Sequence, residues 1–342
     1  MANDTGATGT QPVRVLDHSV LEWFESKYPE FRDELDTIVR RFGANRQIKY
    51  LCDEMPILGT LEGGLIPQVT VNEGQITVHE TFLSYIWALS YAFLVIFDEK
   101  IHGPRTGKEP PHGKPIGYFY PKGDAALNYG LRLITEFTPW PADLPNPEVP
   151  TDEDSYYVEK ANGIYVAAVD FILCHELGHV ACGHLKKLKQ ASRSGRSLTP
   201  LQLKKLEIEA DKWALERVLR GVRSPHRTLT AVGFGAIVGL GSLLFLSQSL
   251  TRPSHPDTDH RISNLLAALS LDPGDNLWGI TATFYIAWNT RFSAGLDLLG
   301  NYPNYNALVR SIERKLNLRK RNSSTGFLGP GGKKRGLWLD QS

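Results

Sequence analysis

Residues 151–185, TDEDSYYVEKANGIYVAAVDFILCHELGHVACGHL, decide the reading of this chain. Asp152, Glu153 and Asp154 crowd the start, where carboxylates favour the positive end of a helix dipole. No proline interrupts the residues after them, so a long helix is predicted from Thr151 towards Leu185. Val166, Ala167, Ala168, Phe171, Ile172 and Val180 make it largely apolar, which predicts burial. Within it stands His175-Glu176-Leu177-Gly178-His179. Positions i and i+4 of a helix lie about 40° apart. The two imidazoles therefore project together and can hold one zinc, and Glu176 can reach a water at the metal. Gly178 removes a side chain beside the pair, which lets a strand or a substrate approach. The same residues also fit a buried helix with two hydrogen-bonded histidines.

A catalytic zinc needs a third protein ligand. About one helix later the chain reads LEIEADKWA from Leu206 to Ala214. Glu207 and Asp211 share a helix face, while Glu209 points elsewhere. Glu207 can complete the ligand set, and Asp211 can accept a hydrogen bond from a ligating histidine. Lys204, Lys205 and Lys212 leave a solvated acidic patch as the alternative. Further on, SHPDTDHRI (Ser254–Ile262) gathers two His, two Asp and an Arg ahead of a helix. His255 is the favoured oxyanion donor there, against an ordinary helix start capped by Thr258 or Asp259. Cys182 lies near the His175 face and could add a thiolate, although a small buried residue is the favoured reading. Cys174 is expected in the core. His184 falls opposite His175 on the helical wheel and is expected to be exposed. His102 and His112 receive no role.

Working outward, the fold class is mainly α with some β. Residues 1–12 are expected to be disordered. A mixed N-terminal part spans 13–150, with helical spacing over 18–42 and a short β-hairpin around Asn72-Glu73-Gly74 carried by Val69, Val71, Ile76 and Val78. Residues 81–97 read as a buried helix, 101–123 as a Gly/Pro surface loop, and 124–136 as a helix. The proline-rich stretch 138–150 is the best candidate boundary. A helical catalytic part spans 151–318, with a basic surface loop at 186–199 and helices near 200–219, 228–250, 259–271, 276–290 and 304–318. Residues 319–342 are glycine-rich and basic and are expected to be a disordered tail.

The chain has 342 residues, with 38 Lys and Arg against 37 Asp and Glu, a net charge of +1. That balance supplies no argument for nucleic acid as a specific partner. Three cysteines, an odd and small number, argue against a disulfide framework and fit a reducing, cytoplasmic compartment. The opening MANDTGATGTQPVRV does not read as a secretory signal. Residues 228–251 carry no charge and are long enough to span a bilayer. If they did, His255 would emerge on the opposite side from His175 and Glu207. A buried helix, packed closely through Gly233, Gly235, Gly239 and Gly241, is therefore favoured over membrane association.

HELGH, then E-x-x-x-D, then S-H-P-x-x-x-x-R-I resembles the gluzincin metallopeptidases of the HtpX type over roughly residues 165–265. Overall the chain is more similar to the phage-exclusion peptidases of the Lit family. The resemblance implies a zincin-like catalytic half in which His175, His179 and Glu207 bind zinc. Glu176 is then the general base, Asp211 the supporting carboxylate and His255 the histidine before proline. It also implies a zinc endopeptidase acting on a protein substrate, a host translation factor such as elongation factor Tu. The alternative is a membrane-associated or scaffold protein whose metal site does no chemistry.

Overall fold

The computed structural model describes residues 9–26, 29–42, 48–52, 54–59, 65–69, 75–107, 112–220, 227–251, 255–298 and 300–324. In chain order its helices are α1 (Asp17–Ser26), α2 (Pro29–Phe42), α3 (Glu80–Ile96), α4 (Gly103–Thr106), α5 (Tyr120–Leu133) and α6 (Ser155–Ala181). Then come α7 (His184–Arg193), α8 (Pro200–Arg220), α9 (Arg227–Ser242), α10 (Thr258–Ala268), α11 (Asn276–Arg291) and α12 (Tyr305–Ser324). The strands are β1 (Ile48–Leu51), β2 (Gln68–Val69) and β3 (Ile76–His79). The described residues are thus mainly helical with one small sheet, as the periodicity of the sequence predicts.

In that sheet β3 is central, antiparallel to β2 and parallel to β1. The expected hairpin is the β2–β3 pair, with Val69 opposite Ile76; its Asn72-Glu73-Gly74 turn lies outside the described residues. Ile76 and Val78 point into the core on alternate positions. The sequence pattern does not predict the parallel partner β1.

Three apolar helices, α3, α6 and α9, pack on one another at the centre. α3 is buried from Glu80 to Val95, covered by α5, α6 and α9. α6 is flanked by α3, α8, α9 and α1. At Gly235 a Cβ would sit 2.6 Å from the Ala167 Cβ, so α9 lies directly on the α6 backbone. An alanine there overpacks the contact at about 1–3 kcal/mol. Segments Glu80–Thr106, Ser155–Ala181 and Leu229–Leu246 are each long and apolar enough to cross a membrane, yet 94%, 72% and 78% of their most apolar windows is buried. They cover each other. The 138–150 stretch is indeed irregular, but α3 and α5 before it share one apolar core with α6 and α9 after it.

Local expectations shift in several places. The long helix α6 stops at Ala181 rather than near Leu185, because Gly183 turns the chain with φ +70°. The expected basic loop is helical as far as Arg193, as α7. The 101–123 stretch is partly helical and tied down: a π-turn, Phe97–His102, leads into α4, and Glu99 accepts hydrogen bonds from its far end. At the N-terminal end, Gln11 N and Thr10 N donate to Glu80 at 2.8 and 3.0 Å, so the expected disorder does not extend to residues 10–12. α12 runs to Ser324, past the expected start of the tail, and its Lys320 binds Asp257 and Asp259 at 2.9 and 2.5 Å. Residues 325–342 lie outside the described residues.

Candidate metal centre

α6 and α8 meet where neither has a side chain in the way. A Cβ on Gly178 would lie 3.3 Å from the Ala210 backbone. Gly178 therefore admits a helix, not the strand or substrate its position suggested. This contact slides Glu207 and Asp211, one turn apart on α8, against His175 and His179, one turn apart on α6.

The four side chains interlock in a definite way. His175 Nε2 and His179 Nε2 face each other at 3.2 Å. Glu207 places Oε2 3.4 Å from His175 Nε2 and Oε1 3.6 Å from His179 Nε2. The two imidazole nitrogens and the carboxylate thus converge, each nitrogen facing a different Glu207 oxygen, and one ligand atom from each residue lies within 4.8 Å of the others. A tetrahedral ion with bonds of about 2.0–2.2 Å requires donor edges of roughly 3.3–3.5 Å. The contacts are of that order, so His175, His179 and Glu207 are a donor set of the kind that holds a metal of zinc's size.

Behind them, Asp211 Oδ1 lies 2.9 Å from His175 Nδ1, at ion-pair distance though not aligned as a formed hydrogen bond. Arg261 of α10 grips Asp211 through Nε and Nη2 at 2.7 and 2.6 Å. The guanidinium is buried. It holds Asp211 ionised and aimed at the histidine.

On the other side, His179 Nδ1 lies 3.0 Å from His184 Nδ1, and His184 Nε2 lies 3.1 Å from Glu209 Oε2. Glu209 accepting from His184 Nε2–H leaves His184 Nδ1 to accept from His179 Nδ1–H. That assignment turns the lone pair of His179 Nε2 towards the cluster. His184 is 0% exposed, contrary to the expectation that it faces solvent. Extrapolating the α6 wheel through the Gly183 turn puts it on the wrong side. Glu209, which points away from the Glu207 face, is its partner.

The electrostatics favour a cation. Burial opposes charge on His175, but Asp211 and Glu207 outweigh it and raise the imidazole to about 10. Burial, then His175 itself, pushes His179 down to about 3. Burial acts against an ionised Glu207 as well, yet His175 holds it down at about 2. The carboxylates of Glu207 and Asp211 thus favour positive charge on or beside His175.

His175, Glu176, His179, Glu207, His255 and Arg261 line a cavity of about 410 Å³. Phe82, Phe171, Ile172, Leu240 and Leu243 add an apolar wall to the same cavity. His255 Nε2 comes within 3.8 Å of Glu207 Oε1 while its side chain stays 46% exposed. The cap position of α10 is Asp257, just before Thr258, rather than Thr258 or Asp259; it makes no side-chain cap and instead binds Lys320. Cys182 is not among the donors around His175; it stands with His184 and Glu209. Cys174 is buried, with Sγ 3.9 Å from Asp170 Oδ1.

Sequence reasoning missed Arg261, His184 and Glu209. Gly183, two residues after the end of α6, was the signal for the last two.

A search of curated proteins and a search of solved structures each return no match. A family model described as Peptidase U49 matches residues 76–281, which run from β3 through α6, α8 and α10 into α11. The stretch contains every residue of the cluster just described, and on this match the chain belongs to the Peptidase U49 family, hydrolases that act on peptide bonds.

Proposed function

We propose that this chain is a zinc-dependent endopeptidase, with zinc held by His175, His179 and Glu207. The convergence of these three side chains, each offering a ligand atom within 4.8 Å of the others, supports the reading. Zinc bound there would supply a Lewis acid that makes water a nucleophile near neutral pH and polarises the scissile carbonyl.

The chain's own residues do the rest. Glu176, beside His175 on the cavity wall, accepts a proton from the attacking water and passes it to the leaving amine. His255, at the mouth of the cavity, donates to the carbonyl oxygen as negative charge develops on it. Asp211, clamped by Arg261, orients His175, and His184 orients His179. The apolar wall receives a side chain of an extended peptide and excludes water from the bond being cut.

The resemblance to phage-exclusion peptidases extends this reading to a defence enzyme that cleaves a host translation factor, elongation factor Tu. We further propose a cytoplasmic location, supported by apolar helices that are largely buried against one another and by the contact of His255 with Glu207, which a span at 228–251 would separate. Comparing new protein termini in cells expressing wild type and Glu176→Gln tests the whole reading. Termini that appear only with wild type, including in elongation factor Tu, are expected. Identical termini with both would reduce the site to a non-catalytic metal centre.

A further inference from the structure

Where α6 ends, a second set of donors gathers on the outer side of the cluster. Cys182 is the last residue of the turn, Gly183 reverses the chain, and His184 opens α7. From α8, Glu209 reaches across to them. One thiol, one imidazole and one carboxylate atom all lie within 4.8 Å of one another. Sulfur, nitrogen and oxygen donors together suit zinc-class ions rather than magnesium or calcium. None of the three donors belongs to the His175, His179, Glu207 set.

We infer that Cys182, His184 and Glu209 form a second, outer site for a zinc-class divalent cation, joined to the inner cluster through the His184–His179 contact. His184 is buried and held in place, so it is the fixed ligand. Glu209 is the adjustable one: its side chain is 52% exposed and already lies 3.1 Å from His184 Nε2. Tetrahedral coordination with one sulfur needs donor edges of about 3.3–3.8 Å. Rotation of Glu209 and Cys182 at the surface closes the set to that size. Among the described residues Lys187 pairs with this carboxylate, its Nζ 3.8 Å from Glu209 Oε2. Its side chain is half exposed and can swing into solvent when an ion takes its place. Cys182 binds as thiolate, its proton passing to water.

The two sites share a wire. To ligate an ion through Nε2, neutral His184 must carry its proton on Nδ1 instead, where it no longer accepts from His179 Nδ1–H; the ion also sets a second double charge across two imidazoles from the first. Filling the outer site therefore weakens the inner one, and the inner weakens the outer by the same factor. If the inner site is the catalytic zinc site proposed above, excess zinc inhibits the enzyme.

Cobalt(II) titration of the full chain tests the outer site independently of that reading, because only a thiolate ligand gives a sulfur-to-cobalt charge-transfer band in the near ultraviolet. The band is expected in wild type and in His175→Ala, and it is expected to vanish in Cys182→Ser, which binds one metal fewer by elemental analysis. A wild type without the band, or a Cys182→Ser variant that keeps both the band and the full metal content, overturns the outer site. A band with only one metal per wild-type chain retains the outer site and removes the inner one. Coupling is read as a weakening of inner-site affinity by about 5-fold or more once the outer site fills. Equal inner affinity in wild type and Cys182→Ser at saturating metal overturns the coupling.

Discussion

Two buried histidine–carboxylate clusters among the described residues are built in opposite senses. Around Glu99, every acceptor meets a donor: Oε1 takes the Tyr157 hydroxyl at 2.8 Å and faces His112 Nε2 at 2.9 Å, and Oε2 takes the Gly117 amide. Lys114 N donates to the remaining His112 nitrogen at 3.2 Å. Around Glu207, acceptors are aimed at one another: two imidazole Nε2 atoms and a carboxylate face one point beside an open cavity. The first arrangement is complete as protein and closes the π-turn after α3. The second is satisfied by a proton or a metal. Complementary donors mark a clamp, and convergent acceptors mark a site.

The strongest way to break this contrast is at Glu176. Glu176→Gln is expected to lower peptide cleavage by about 10²–10⁴-fold, the usual contribution of a general base, while metal content stays at the wild-type level. Cleavage at the normal rate would overturn the assignment.

Glu99→Ala probes the clamp. It leaves the Tyr157 hydroxyl, His112 and the Gly117 amide without their acceptor, a loss of about 2–4 kcal/mol in stability. Denaturant melts should show it, with metal affinity unchanged in the chain that remains folded. Loss of metal affinity instead would mean that the two clusters are not separable.

Asp211→Asn sharpens the other side. Asparagine keeps the shape but loses the charge that holds His175, so metal affinity is expected to drop by about 10–100-fold in chelator competition. An unchanged affinity would leave Asp211 as an ordinary partner for Arg261.

The pH dependence of metal uptake is the mildest test. His175 is raised to about 10 in the metal-free chain, so it carries a proton at neutral pH that a metal must displace. Affinity should therefore rise with pH, by about tenfold per unit between pH 6 and 8, with one proton released per metal bound. His179, held at about 3, is already neutral there and adds nothing. Affinity independent of pH would remove His175 from the ligand set.

Much of the site was legible in the chain. HELGH and the Glu207/Asp211 pair are spacing arguments: 3.6 residues per turn puts positions four apart on one face whatever surrounds the helix. The same rule misplaces His184, because a wheel is valid only while the helix continues, and Gly183 ends it. Arg261 is visible in SHPDTDHRI, but nothing in its neighbours points to Asp211, fifty residues away. Glu209 lies off the Glu207 face, yet it serves His184 from there.

The sequence by itself determined the helical character, the small hairpin, both candidate ligand pairs and the apolar helices that bury one another. Each is a property of residues close along the chain, where backbone geometry sets who is neighbour to whom. Only the tertiary structure decided that Gly178 admits Ala210, that the two pairs close into one cluster of donors, and that Asp211 belongs to Arg261. It alone brought Cys182, His184 and Glu209 together. Those contacts depend on how α6, α8 and α10 pack and on where α6 stops, and packing between distant segments has no local period to read.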